Sequence, residues 1–122
     1  MTSEHYYQSQ KFATTDPTYA EEIRNSPNPK TAAELGRATR TPAMRADWDA
    51  VKDDIMRKVV LHKFTTSESC RKVLLSTGNE ELVEDSPVDS YWGCGSDGRG
   101  KNMLGVILME TREALRKKYQ PD

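Results

Sequence analysis

Two histidines and two cysteines are the only zinc-type nitrogen and thiol side chains that this 122-residue chain offers. They stand at His5, His62, Cys70 and Cys94, with no Cys-x-x-Cys pair. A zinc site needs three or four N or S ligands at characteristic spacing, so no metal and no other cofactor is expected. The cysteines lie far apart and fit a reducing cytoplasm. Long apolar runs are missing as well. Nothing approaches the ~20 residues of a membrane span, and the opening MTSEHYYQSQKF has no signal-peptide core. No membrane partner is expected, and the cytoplasm is the default location. An excess of one charge is also lacking: 18 basic and 19 acidic residues leave a formal net charge of −1. Sequence-independent binding to nucleic acid runs on many Lys/Arg–phosphate contacts. This balance argues against it, while leaving room for a local basic patch.

What is present is 35% hydrophobic and 30% charged residues, enough for one compact, helix-rich domain with a modest core and a wet surface. Thr2 or Ser3 can cap a first helix over SEHYYQSQKFA. Asp16-Pro17 opens a second helix that runs to Ser26, where Pro27 and Pro29 stop it. A third, PKTAAELGRA, ends near Gly36, and TRTPAMRA is a connector. DWDAVKDDIMRKVVLHKF is the strongest periodic element, with Trp48, Val51, Ile55, Val59 and His62 on one face. His62 reads as a packed helix residue there. SESCRKVLLST is capped by Ser67 and closed by Gly78, with Cys70 as a small buried side chain. ELVEDS is a short extended piece, and KNMLGVILMETREALRKKY is the terminal helix, with Leu104, Leu108 and Leu115 on one side. The fold class is mainly α, about six helices in one domain over residues 1–122.

Three constellations could carry chemistry. Glu4, Gln8 and Lys11 fall within a wedge of roughly 60° on the first helix. They form either a solvated polar face or an acid, an amide and an amine aimed into a cleft, and spacing does not separate these. In EDSPVDSYWG, Pro87 fixes the approach to Asp89, and Trp92 is either a core plug or a ring that stacks a planar ligand beside that carboxylate. GSDGRGKN then leads into a helix N-terminus, where free backbone N–H groups suit an anion and Arg99 and Lys101 add formal charge. It is not a Walker A motif, because no Ser or Thr follows the lysine. So many glycines close together need either a difficult turn or a close approach of backbone to a ligand.

The runs Glu-His-Tyr-x-Gln-x-x-Lys-Phe from Glu4 and Trp-Gly-x-Gly-x-x-Gly-x-Gly-x-Asn-x-Leu-Gly from Trp92 resemble, in order and spacing, the YbiA-like (NADAR) proteins, and the likeness extends from Thr2 to about Leu115. It implies N-glycoside hydrolysis at a ribose C1′–N bond. The implied substrate is a ribosylaminopyrimidine 5′-phosphate of the riboflavin pathway, or ADP-ribose carried on guanine, including modified guanine in nucleic acid. The partner is thus a phosphorylated ribosyl or ADP-ribosyl small molecule. A catalytically weakened module that binds ADP-ribose or a related nucleotide is the reading from another class. Glu4 is the expected general acid/base, Asp89 positions ribose hydroxyls or shares the proton work, and Lys11 is the amine for a Schiff base, ranked above Lys101. For that role Lys11 needs a desolvated site that lowers its pKa. Tyr7, Gln8, Trp92, Gly93, Arg99, Gly100, Lys101 and Asn102 are the expected substrate-binding residues. Members carry a further N-terminal segment with strand-forming sequence before the Glu-His motif, whereas here Met1 directly precedes Thr2. The expectation is therefore an α+β family fold with its N-terminal strands missing, apolar surface uncovered and one side of the site open.

Overall fold

The computed structural model describes residues 2–38, 41–86 and 89–120. Pro87, expected to fix the approach to Asp89, lies outside them. Among the described residues there are six helices and no strand, in two compact units, Met1–Ile55 and Met56–Asp122.

The first unit is built from three short helices whose starts are written in the sequence. α1 (Ser3–Gln10) begins at Thr2, whose hydroxyl accepts from His5 N while the His5 ring reaches back to the Thr2 amide, a capping box. His5 Nε2 lies 2.9 Å from the Ser26 carbonyl. A carbonyl only accepts, so that nitrogen carries the proton and ties α1 to the end of α2. α2 (Pro17–Arg24) and α3 (Pro29–Arg37) each start on proline, after an Asp16 and an Asn28 cap. Proline is tolerated there because its missing N–H would have no helical partner. α3 ends at Arg37, next to the expected end near Gly36. α1 packs against both α2 and α3. Phe12, Ala20, Ile23 and Ala32 are fully buried between them, with Tyr19 and Leu35 at the edge. Each large apolar side chain buried this way stabilises by about 1.5–3 kcal/mol. The Tyr19 hydroxyl donates to the Leu35 carbonyl at 2.6 Å, and Arg45 N donates to the Lys11 carbonyl at 2.8 Å, anchoring the connector beneath α1.

α4 (Trp48–Thr66) starts in the first unit and ends in the second. Trp48, Val59 and Val60 are buried, but His62, expected to be packed, is exposed. The buried stripe passes through consecutive Val59 and Val60, which turns position 62 outward.

In the second unit α5 (Glu68–Ser76) packs against α6 (Met103–Tyr119). Ser67 caps α5 as expected, while Cys70 is half-buried rather than buried. The buried face of α6 runs through Ile107, Thr111 and Leu115, at successive i+4 steps. Leu104 and Leu108, expected on that face, are only partly covered. Arg112 is buried yet satisfied, donating to Thr77 Oγ1 at 2.9 Å and to the Glu80 carbonyl at 2.8 Å. That pair of bonds fastens the chain leaving α5 onto α6. No helix among the described residues is long and apolar enough to cross a membrane.

Candidate functional site

The acid, amide and amine of α1 do form one cluster. The Gln8 side-chain amide donates to Glu4 Oε1 at 2.9 Å, one turn along the helix. Lys11 Nζ donates to the Gly36 carbonyl at 3.3 Å. Gln8 is 1% exposed, while Glu4 and Lys11 are half-buried, so the wedge is not a fully solvated face. α3 completes the cluster with two residues that sequence reasoning left out. Gly36 lies so close to Gln8 that a Cβ there would overlap the Gln8 amide. Arg37 brings its guanidinium to 3.9 Å from Glu4 Oε1. Trp48 forms another wall: its ring lies 5.2 Å from that of Tyr7, tilted by 60°, and 5.9 Å below the Lys11 ammonium. Tyr7 is itself buried in that aromatic layer. A glycine inside an otherwise good helical pattern costs about 1 kcal/mol relative to Ala, which was the available signal for Gly36.

The electrostatics of this cluster are unusual for a lysine. Burial removes water from the Lys11 amine, the Arg37 guanidinium repels its proton, and Glu4 opposes both. The result is an amine pushed down from 10.5 to about 8. About a tenth of it is then neutral at pH 7, against less than a thousandth for an ordinary lysine. Gln8 Oε1, in contrast, is a buried acceptor with no hydrogen-bond partner among the described residues. A buried acceptor left this way is costly, so it calls for a reason. Packing against Gly36 fixes the amide with its NH₂ toward Glu4, and the orphaned oxygen is the consequence of that orientation.

In the second unit the aromatic turn and the glycine loop form one knot of backbone. Asp89 Oδ1 accepts from the amides of Tyr91 and Trp92 at 2.9 and 2.8 Å. This carboxylate thus holds the turn that presents the two rings, which stack edge to face at 4.9 Å. Trp92 is half-buried. The start of α6 differs from expectation. The amides of Lys101, Asn102, Met103 and Leu104 donate to the carbonyls of Ser90, Gly93, Tyr91 and Trp92 at 2.7–3.0 Å. These N–H groups are not free for an anion. Asn102, in the left-handed region at φ 52, uses its side chain to accept from Glu84 N at 2.8 Å and donate to the Leu82 carbonyl at 2.9 Å. Residues 81–86, expected as an extended piece, are held as irregular chain by these bonds and by Cys94 N donating to the Glu84 carbonyl. The glycines answer to this crossing. Gly93 is buried, and a Cβ at Gly100 would lie 2.6 Å from the Gly93 carbonyl oxygen. The close approach is of backbone to backbone. Arg99 and Lys101 are exposed at the loop surface, and Lys101 Nζ sits 5.5 Å above the Tyr91 ring.

Comparison with known proteins adds an independent line. Residues 1–116 match the NADAR domain. The chain is 51% identical to an N-glycosidase of Nostoc punctiforme over 116 residues, 94% of this chain and 74% of that one. It is 47% identical to the N-glycosidase YbiA of Escherichia coli over 114 residues, 93% of this chain and 69% of that one. The NMR structure of that YbiA superimposes with a TM-score of 0.85 at 46% identity, over 95% of this chain and 67% of that one. A chloroplastic riboflavin biosynthesis protein of Zea mays is 39% identical over 121 residues, 93% of this chain and 19% of that one.

Proposed function

This chain belongs to the NADAR family, and from that premise we propose that it is an N-glycosidase, acting on the ribose C1′–N bond of a phosphorylated ribosylaminopyrimidine of riboflavin biosynthesis. Its relatives' names support the class of bond and the pathway. The observation that carries the mechanism is the cluster itself, with Glu4 held by Gln8 at 2.9 Å and the Lys11 amine seated on the Gly36 carbonyl at 3.3 Å; burial that brings this amine to about 8 supports it.

Breaking a C1′–N bond needs a proton for the departing base and an alternative partner for C1′. In the proposed sequence the ribosylamine opens to its C1′ imine. The neutral Lys11 amine adds to C1′ and the pyrimidine amine leaves, taking a proton delivered by Glu4. The sugar is then held as a Schiff base on Lys11. Water adds to C1′, its protons pass through Glu4, and the C1′–Nζ bond breaks to release the ribose 5-phosphate aldehyde and the free lysine. No electrons are exchanged with an outside agent. Gln8 orients Glu4 by the 2.9 Å bond between them, and Tyr7 supports the cluster through Trp48. In the second unit, Trp92 is proposed as a stacking face and Asp89 as the group that positions it. Arg99 and Lys101 are surface cations there, and Gly93, Gly100 and Asn102 shape the knot. The reading takes residues 1–122 as one functional domain of the cytoplasm.

Mass-detected hydrolysis on the purified 122-residue chain tests this reading, with a ribosylaminopyrimidine 5′-phosphate and an ADP-ribosylated guanine side by side. Turnover of the first, with borohydride trapping a reduced sugar adduct on Lys11, is the expected result. Turnover of ADP-ribosylated guanine alone would move the substrate assignment, and tight binding of ADP-ribose without turnover would make the chain a binding module.

A further inference from the structure

Arg37 stands in the last turn of α3, where any cation suits the helix dipole, but that role does not require its guanidinium to face α1. Its guanidinium reaches Glu4 only at 3.9 Å, beyond hydrogen-bond distance, and its side chain is 66% exposed. Glu4 already has a closer partner in Gln8, and an exposed, monodentate pair of this kind contributes little to stability. Placing a guanidinium beside a half-buried lysine is moreover electrostatically unfavourable. A cation held there at a helix end, with no hydrogen bond from its guanidinium among the described residues, is suited to an incoming anion.

We infer that the last turn of α3 is part of the substrate site: the Gly36 carbonyl seats the Lys11 amine, and the Arg37 guanidinium receives the phosphate monoester at the far end of the sugar. The inference rests on the proposed chemistry at Lys11 and deepens it. A five-carbon sugar joined at C1′ to Lys11 carries its terminal phosphate a short distance away, within reach of the neighbouring turn. Arg37 offers a planar pair of donors that matches two phosphate oxygens. The glycine loop, the other candidate for this group, has the amides of residues 101–104 already bonded to backbone carbonyls. Gly36 and Arg37 are adjacent in sequence, so one turn of helix fixes the amine and the anion receptor together.

Calorimetric binding of ribose 5-phosphate and of ribose to the full chain tests this without requiring turnover. The wild-type chain should prefer ribose 5-phosphate by at least about tenfold, the size of one charge-assisted pair. Arg37→Ala should erase the preference, bringing ribose 5-phosphate down to the affinity of ribose in the same variant, and Arg37→Lys should restore part of it. Three results would overturn the inference: a preference that survives Arg37→Ala, equal weakening of both sugars, or a preference lost instead in Arg99→Ala or Lys101→Ala. Failure of the proposed reaction is read separately. If neither glycoside is turned over but Arg37→Ala still erases the phosphate preference, the reaction falls and the anion receptor stands. If turnover and Lys11 trapping persist and Arg37→Ala leaves the preference intact, only the receptor falls. Melting curves of the variants, which should overlay the wild type for an exposed side chain, confirm that folding is not the cause.

Discussion

The Gln8 amide and the Gly36 Cα pack with no room for a side chain between them, and on its other edge that amide donates to Glu4 Oε1 at 2.9 Å. A missing Cβ on α3 thereby fixes a carboxylate on α1. The first prediction is that Gly36→Ala destabilises the protein. In a helix interior this change ordinarily stabilises by about 0.5–1 kcal/mol, whereas overpacking of this kind costs about 1–3 kcal/mol. Urea unfolding should therefore show a lower midpoint at unchanged slope, and a raised midpoint would refute the packing argument.

Glu4→Gln keeps the shape of the side chain and removes its ability to pass a proton. Turnover should fall by about 10²-fold or more, with little change in substrate affinity. A loss confined to KM would assign Glu4 to binding instead.

Lys11→Ala should reduce turnover by at least about 10²-fold and abolish borohydride trapping. In the wild type, the neutral amine is the reactive form. The rate should accordingly rise with pH through an apparent value of about 8. A flat profile between about pH 7 and 9, roughly one unit to either side, is incompatible with this role.

The same amine makes stability depend on pH, and the sign follows from proton counting. Lys11 holds its proton less tightly when folded, about 8, than at its ordinary 10.5. Between those values the unfolded chain binds more protons, so the contribution of this group to stability rises with pH across that window. Below it, both states are charged and the full penalty of burying the ammonium applies. Lys11→Met should raise the melting temperature at pH 7 by a few degrees. The gain should shrink as pH passes from about 8 toward 10.5. A variant that is less stable at neutral pH would show that the bond to Gly36 outweighs desolvation.

Trp92→Ala should weaken binding of a planar base by about 1–3 kcal/mol if the ring stacks on it. Loss of folding would instead make Trp92 a core residue, which its half-buried position argues against.

Much of the fold is legible in the sequence because it is local. Ser67 caps the helix it was expected to cap, Thr2 is the one of two candidates that caps α1, and the second helix opens at Asp16-Pro17 as expected, since a helix start requires only its own side chains and the next turn. The wedge of Glu4, Gln8 and Lys11 is likewise a matter of helical period. What periodicity does not carry is the destination of a group in three dimensions. Gly36 and Arg37 reach α1 across more than two dozen residues of chain, and nothing near position 36 announces Gln8. The amides at the start of α6 look free in sequence and prove to be bonded to residues 90–93, a pairing that depends on how the preceding loop doubles back. His62 and Leu108 follow an apolar period faithfully, but the neighbours available decide which part of that stripe is covered.

The knot at the foot of α6 bears on which mutations this protein can absorb. Asn102 is bonded to Leu82 and Glu84, and Gly100 and Gly105 lie against carbonyls of residues 93–94 and 82. By contrast, Ser96, Asp97, Gly98 and Arg99 form an exposed tip, where a Cβ at Gly98 would meet nothing although its φ of 73 still favours glycine. A glycine-rich segment of this kind therefore divides into a permissive end and an intolerant one. Amide hydrogen exchange should be slow at residues 101–104 and fast at the tip, and laboratory evolution should find insertions at 96–99 far more readily than any side chain at 100 or 105.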